Sequence, residues 1–291
     1  MPITGAILDV DGTILRGSDP IPGADVGSTA LADRGVRRLF CSNNPTKKPT
    51  AYAERFANAG FDVDPDEVLT SGTVTVSYLA EHRPDEAVFL VGESGLREQL
   101  ADAGLRVVDE PDAAETVVVS VDRGFDYDRL TDALWALSGG RAEVPSVGDE
   151  TASSATEATG DAGADDVAFV GTDPDVTIPG ADRPVPGSGA IVRAVAGVAE
   201  REPDIVLGKP SDYARDMALS RLGVPADECL VVGDRLDTDI ALGARAGMTT
   251  ALVLTGIVRE TELEAALDAA DVEPDYVLDS FAEVERVFEE E

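Results

Sequence analysis

Residues 5–10, Gly-Ala-Ile-Leu-Asp-Val, form a short apolar run that ends on an acid and leads directly into Asp11-Gly12-Thr13. Such a run reads as a strand buried on both faces, and the next segments supply what a parallel sheet needs, long crossovers of helical period. A helix is expected at about 24–34, a strand at 36–41, a helix at 49–59 closed by Gly60, and another helix beginning near Ser71. The alternation returns near the other end. A helix at 211–221 and a strand at 229–232 are followed by a helix at 237–246, a strand at 250–254, a helix at 260–269, a strand near 276–278 and a last helix. The expected fold class is therefore α/β, with a parallel sheet flanked by helices.

Between these halves the pattern is interrupted. Strands are expected at 87–91, 116–121 and about 167–170, with helices near 94–103 and 127–138. This reads as a smaller α/β domain, 81–187, inserted into a core made of 1–80 and 188–291. Residues 141–166 hold no aromatic residue and few large aliphatics, so they read as a polar surface excursion.

Four segments carry the chemistry. Asp9 and Asp11 stand one residue apart at the end of the first strand, where open α/β sheets place their sites. Gly12 allows a sharp turn that brings backbone N–H groups toward an anion. A carboxylate can attack phosphorus only when the phosphate charge is neutralised, which calls for a metal and a cation nearby. Asp-x-Asp alone would be compatible with solvated acids at a strand end. The second segment, Leu39 to Asn44, closes another apolar run with Ser42-Asn43-Asn44, donors suited to phosphate oxygens and equally to an ordinary turn. The third, Gly208-Lys209-Pro210-Ser211, presents an ammonium at a helix start. Its spacing is not that of a Walker A loop. In the fourth, Val231 to Asp239, Asp234 follows a buried strand and Asp239 lies early in the next helix. Carboxylate oxygens so arranged suit a hard divalent cation such as Mg²⁺, although an acid at Asp239 also suits a helix dipole.

Charge narrows the partners. Asp and Glu number 57 against 23 Lys and Arg, a net charge of -34. Such a field repels nucleic acid and anionic membranes, so neither is expected as a partner. The acids are dispersed, as on a solvated surface, and a halophilic, haloarchaeal source is expected, where salt screens self-repulsion. Only Lys47, Lys48 and Lys209 are lysines, which makes the position of Lys209 more informative. Cys41 and Cys229 sit in apolar runs and read as buried free thiols. A cytoplasmic setting is expected, since no run approaches a membrane span and the first residues lack a signal-peptide pattern.

In order and spacing these segments resemble the haloacid dehalogenase (HAD) superfamily of phosphotransferases: Asp-x-Asp-Gly-Thr, a Ser turn, a Lys and a late acidic motif. Gly-Lys-Pro-Ser with Gly-Asp-Arg-Leu-x-Thr-Asp-Ile is similar to the NagD-type (class IIA) branch, as are Leu69-Thr70-Ser71, Val91 to Leu96 and Pro186 to Ile191. The resemblance implies a Rossmann-like core with an inserted C2-type cap. It implies a Mg²⁺-dependent phosphomonoesterase acting on a small phosphate ester through an aspartyl-phosphate. By that resemblance Asp9 is the nucleophile and a metal ligand, and Asp11 is the general acid and base whose carbonyl also binds the metal. Gly12 and Thr13 support their loop. Ser42, Asn43 and Lys209 bind phosphate, Asp234 binds the metal, and Asp239 supports the site. Thr172, Asp173 and Asp175 are the substrate candidates on the cap. Here the family's Thr-Asn-x-Asp reads Thr172-Asp173-Pro174-Asp175. The extra acid either favours leaving groups with hydroxyls or positive charge, or is simply tolerated at an exposed turn. A phosphotransferase or mutase, or a catalytically silent binding module, stays open as an alternative. The identity of the ester and the oligomeric state, a homo-oligomer included, are not legible.

Overall fold

The computed structural model describes residues 2–138, 167–180 and 183–289, so the expected excursion at 141–166 lies outside the described residues. In chain order the first half runs β1 (Gly5–Leu8), the short pair β2 (Leu15–Arg16) and β3 (Asp19–Pro20), α1 (Ala24–Asp33), β4 (Arg37–Ser42), α2 (Pro49–Asn58), β5 (Val68–Thr70) and α3 (Ser71–His82). The middle contributes β6 (Ala87–Val91), α4 (Ser94–Asp102), β7 (Arg106–Val108), β8 (Thr116–Val119), α5 (Tyr127–Leu137), β9 (Ala168–Gly171), β10 (Thr177–Ile178), β11 (Val185–Pro186), α6 (Ser188–Ala199) and β12 (Ile205–Val206). The chain then adds α7 (Asp212–Leu222), β13 (Cys229–Gly233), α8 (Ala241–Ala246), β14 (Thr249–Val253), α9 (Leu263–Ala269) and β15 (Tyr276–Leu278).

Two sheets result. The first has six strands in the order β15-β14-β13-β1-β4-β5, and its pairings are parallel. The second has five parallel strands in the order β12-β9-β8-β6-β7. Successive residues of β1 face opposite layers. Ala6 and Leu8 join a cluster with Leu31 of α1, Tyr52 and Phe56 of α2 and the C-terminal Phe281 and Val284. Ile7 joins another with Val74 of α3 and Ala218 of α7, which continues into Val88, Val118 and Val170 of the second sheet. The far face of that sheet is closed by α5 and α6 around Phe89, Val117 and Phe169.

The helices start where local chemistry allows. Thr70 and Ser211 cap α3 and α7 by accepting from the backbone N–H groups of Thr73 and Ala214. Pro49 opens α2 at a position that needs no amide donor. Three expectations change. The span expected as a helix at 237–246 begins as a π-helical turn, Leu236–Ile240, before α8. The last segment, Phe281–Phe288, is 3-10 rather than α-helical. Finally, α6, grouped with the core by the expected bounds, packs in the far layer of the second sheet, and β12 pairs with β9. Among the described residues no helix is long and apolar enough to cross a membrane.

Phe56 ties α2 to the first sheet, its ring 4.5 Å from Phe40 and 6.2 Å from Phe61, and is fully buried. Phe56→Ala should lower the unfolding free energy by about 3–5 kcal/mol through the cavity it leaves. Denaturant unfolding at fixed salt measures this; a loss below about 1 kcal/mol would mean that α2 does not depend on this contact.

Candidate active site

The first sheet reverses its winding at β1. The chain proceeds from β1 to β4 and β5 on one side, and later from β13 to β14 and β15 on the other. Carboxyl ends of strands diverge at such a point and leave a crevice. Asp9 and Asp11 follow β1, Ser42 ends β4, Asp234 follows β13, and Lys209 stands between β12 and α7. All five line one cavity of 480 Å³.

Lys209 organises its floor. The ammonium is buried and donates to Asp9 Oδ1 at 2.7 Å, to Asp239 Oδ1 at 2.6 Å and to the Cys41 carbonyl at 2.7 Å. Its three donors are thereby spent. Burial opposes its charge, but the carboxylates of Asp239 and Asp9 outweigh that effect and hold its pKa well above the usual lysine range. Asp9 Oδ2 also accepts from the buried Thr13 hydroxyl at 3.3 Å. Asp239 has both oxygens engaged, the second by the Arg235 N–H at 3.2 Å. The π-helical turn presents it there, a backbone irregularity common at functional sites.

Asp9, Asp234 and Asp239 each offer an oxygen within 4.8 Å of the others, and all three are buried. Asp234 accepts from the Ile257 N–H at 2.6 Å. Burial and then the neighbouring Asp239 push its carboxyl up to about 7. Three buried carboxylates against one ammonium leave excess negative charge, and hard oxygen donors of this kind fit a divalent cation. The backbone is shaped for this crowding. Gly12 has φ 99°, and a Cβ on Gly12 or Gly256 would collide with the Asp234 carboxylate.

Around this floor the expected residues separate. Ser42 Oγ lies 2.8 Å from the Tyr52 hydroxyl and accepts from the Asn44 N–H at 3.2 Å. The Asn43 side chain is spent within the protein: its amide donates to Asp175 Oδ1 and the Lys209 carbonyl, and its oxygen accepts from the Lys209 N–H. It therefore staples the Ser42 turn to the lysine loop and the cap. Asp173 and Asp175 line the cavity, whereas Thr172 is fully buried behind it, with its hydroxyl 3.0 Å from Asp173 Oδ2. Asp173 is only 1% exposed, so the exposed-turn explanation for it fails. Arg235, within 3.7 Å of Asp175, and Arg123 also line the cavity. Arg55 holds Asp11 from α2. These arginines were missed: only Arg235 lies inside a quoted motif, and no local pattern marks Arg55 or Arg123.

Comparison with known proteins identifies the family. A family profile described as haloacid dehalogenase-like hydrolase matches residues 6–106, and one described as HAD-hydrolase-like matches 206–284. The sugar-phosphatase AraL of Bacillus subtilis is 29% identical over 286 residues, covering 98% of this chain and 93% of that relative. The solved p-nitrophenyl phosphatase of Archaeoglobus fulgidus is 34% identical with a TM-score of 0.84, covering 99% of this chain and 100% of the other. NagD from E. coli K-12 gives 26% identity and a TM-score of 0.78, covering 97% and 98%. With the Asp9, Ser42, Lys209 and Asp234 segments converging as they do, the chain belongs to the haloacid dehalogenase superfamily of hydrolases, in its NagD-like class IIA branch.

Proposed function

We propose that this protein hydrolyses small phosphate monoesters by way of a phosphorylated Asp9. The observation that carries the reading is the buried Asp9, held by Lys209 at 2.7 Å on the floor of a cavity that also admits Asp11 and Asp234. Relatives named as sugar and p-nitrophenyl phosphatases support the ester class.

In this reading the Ser42 turn receives the phosphate, and Lys209, held beside Asp9, offsets its charge while Asp9 attacks. Asp11 protonates the leaving oxygen and later takes a proton from the attacking water. Asp9, Asp234 and the Asp11 carbonyl would hold Mg²⁺, with Asp239 supporting through its fixed bonds to Lys209 and Arg235. When bound, the ion neutralises charge that would otherwise keep carboxylate and phosphate apart. A cytoplasmic setting is proposed as well, which the free thiols of Cys41 and Cys229 suit.

Asp173 extends the reading to the leaving group. It faces the cavity as a buried acid, with Oδ1 accepting from the Asp175 N–H at 3.2 Å. Burial, and then Asp175, raise its carboxyl to about 7. Near that pH it can donate to or accept from hydroxyls of a polyol or sugar ester, which we propose it favours.

Phosphate release from p-nitrophenyl phosphate and a panel of sugar and polyol phosphates, in concentrated KCl with Mg²⁺, tests the function. Asp9→Asn should abolish turnover and a chelator should remove activity. Unchanged turnover in Asp9→Asn would sink the nucleophile, and full activity in excess chelator would sink the metal. A second expectation concerns pH. A carboxyl whose pKa is higher in the folded chain binds more protons there, so its contribution to stability falls as pH rises from the usual carboxylate range to about 7. Asp173→Asn should therefore raise the melting temperature most at about pH 8 and progressively less toward about pH 4. A pH-independent difference would contradict this account of Asp173.

A further inference from the structure

Arg55 has no place in the phosphate machinery described above, yet its side chain is one of the more tightly held near the site. Nη2 donates to Asp11 Oδ1 at 2.6 Å and Nη1 to Asp11 Oδ2 at 3.3 Å, a two-armed grip on one carboxylate. Nε donates to the Gly17 carbonyl at 2.5 Å, and the guanidinium carbon lies 5.8 Å from the centre of the Tyr52 ring. Tyr52 is fully buried and reaches Ser42 with its hydroxyl. Residues 52 and 55 stand three apart on α2, so one stripe of that helix touches both the serine turn and the Asp11 carboxylate.

Asp11 also occupies a particular place. It lines the 480 Å³ cavity with Asp9 and a neighbouring polar cavity of 380 Å³ with Arg55 and Lys47. Its side chain is 37% exposed, against 12% for Arg55. A half-buried carboxylate beside two cavities has several rotamers open to it, and a proton-transfer group in the wrong one loses its geometry. A planar guanidinium with its other face and Nε already fixed removes that freedom, which a lysine's point charge cannot do.

We propose that Arg55 is the positioning residue for Asp11, fixing the carboxyl so that it meets the leaving oxygen of the ester. The inference rests on the phosphatase reading above. In the first half-reaction an Asp9 oxygen bonds to phosphorus. The ester P–O bond breaks with its electron pair going to the leaving oxygen, and the Asp11 proton passes to that oxygen. In the second, a water oxygen bonds to phosphorus and gives a proton to Asp11, while the Asp9–phosphorus bond breaks and returns its pair to the carboxylate. The 2.6 Å arm anchors Oδ1. The 3.3 Å arm leaves Oδ2 as the oxygen that can exchange its bond for the ester oxygen.

The test uses leaving groups of different need. An alkyl ester must be protonated as it departs, whereas p-nitrophenolate leaves as an anion. With enzyme in excess over ester, release of the leaving group reports the first half-reaction alone. Arg55→Gln should slow an alkyl ester such as glycerol phosphate by about 10²-fold and p-nitrophenyl phosphate by less than about tenfold. Arg55→Lys should recover only part of the alkyl rate. On an Asp11→Asn background, Arg55→Gln should cost no more than about twofold, because the two act as one unit. Equal slowing of both esters, or full additivity with Asp11→Asn, would assign Arg55 a merely structural role and overturn the inference alone. A wild-type protein inert toward both esters would instead overturn the phosphatase reading and the inference with it.

Discussion

The candidate site depends on one buried ammonium. Lys209 binds Asp9, Asp239 and the Cys41 carbonyl, and so ties together the ends of β1 and β4 and the turn after β13. A charge removed from water is tolerated only with its full complement of partners, and removing one partner costs far more than the pair is worth. The arrangement is therefore cooperative. The lysine loop has to close on the sheet before the carboxylates are matched, and the carboxylates have to be present for the loop to close.

That dependence explains what could be read in the linear sequence. Strand ends carrying Asp9, Ser42 and Asp234 were legible because each follows an apolar run that can only be a buried strand. Lys209 was legible because lysine is scarce in this chain. The fold followed from the same alternation. Local pattern did not reveal where the second sheet ends, since α6 has the periodicity of any covering helix and β12 has only two residues. Which sheet they join is decided by pairing with β9, a long-range contact.

The site residues divide in the same way. Asp239 was expected as support early in a regular helix. The π-helical turn instead brings it directly against Lys209, a deviation that no propensity encodes. Asn43 was expected to bind phosphate, and its side chain proves to be a clasp between three segments. Arg55 could not be found at all, because its meaning lies in a fork aimed at a residue 44 positions away.

The exposure of the charges has a consequence for how salt acts on this molecule. Many ion pairs among the described residues are exposed, as between Lys48 and Asp102 or Arg106 and Glu115, and at molar salt the screening length shrinks to about 3 Å. The contacts of Lys209 with Asp9 and Asp239 are shorter than that and largely buried, with side-chain exposures of 3%, 11% and 1%. Concentrated salt can therefore quiet the surface while leaving the electrostatics of the reaction centre intact. The two halves of the charge distribution answer to different solvents: bulk brine outside, and protein dipoles within.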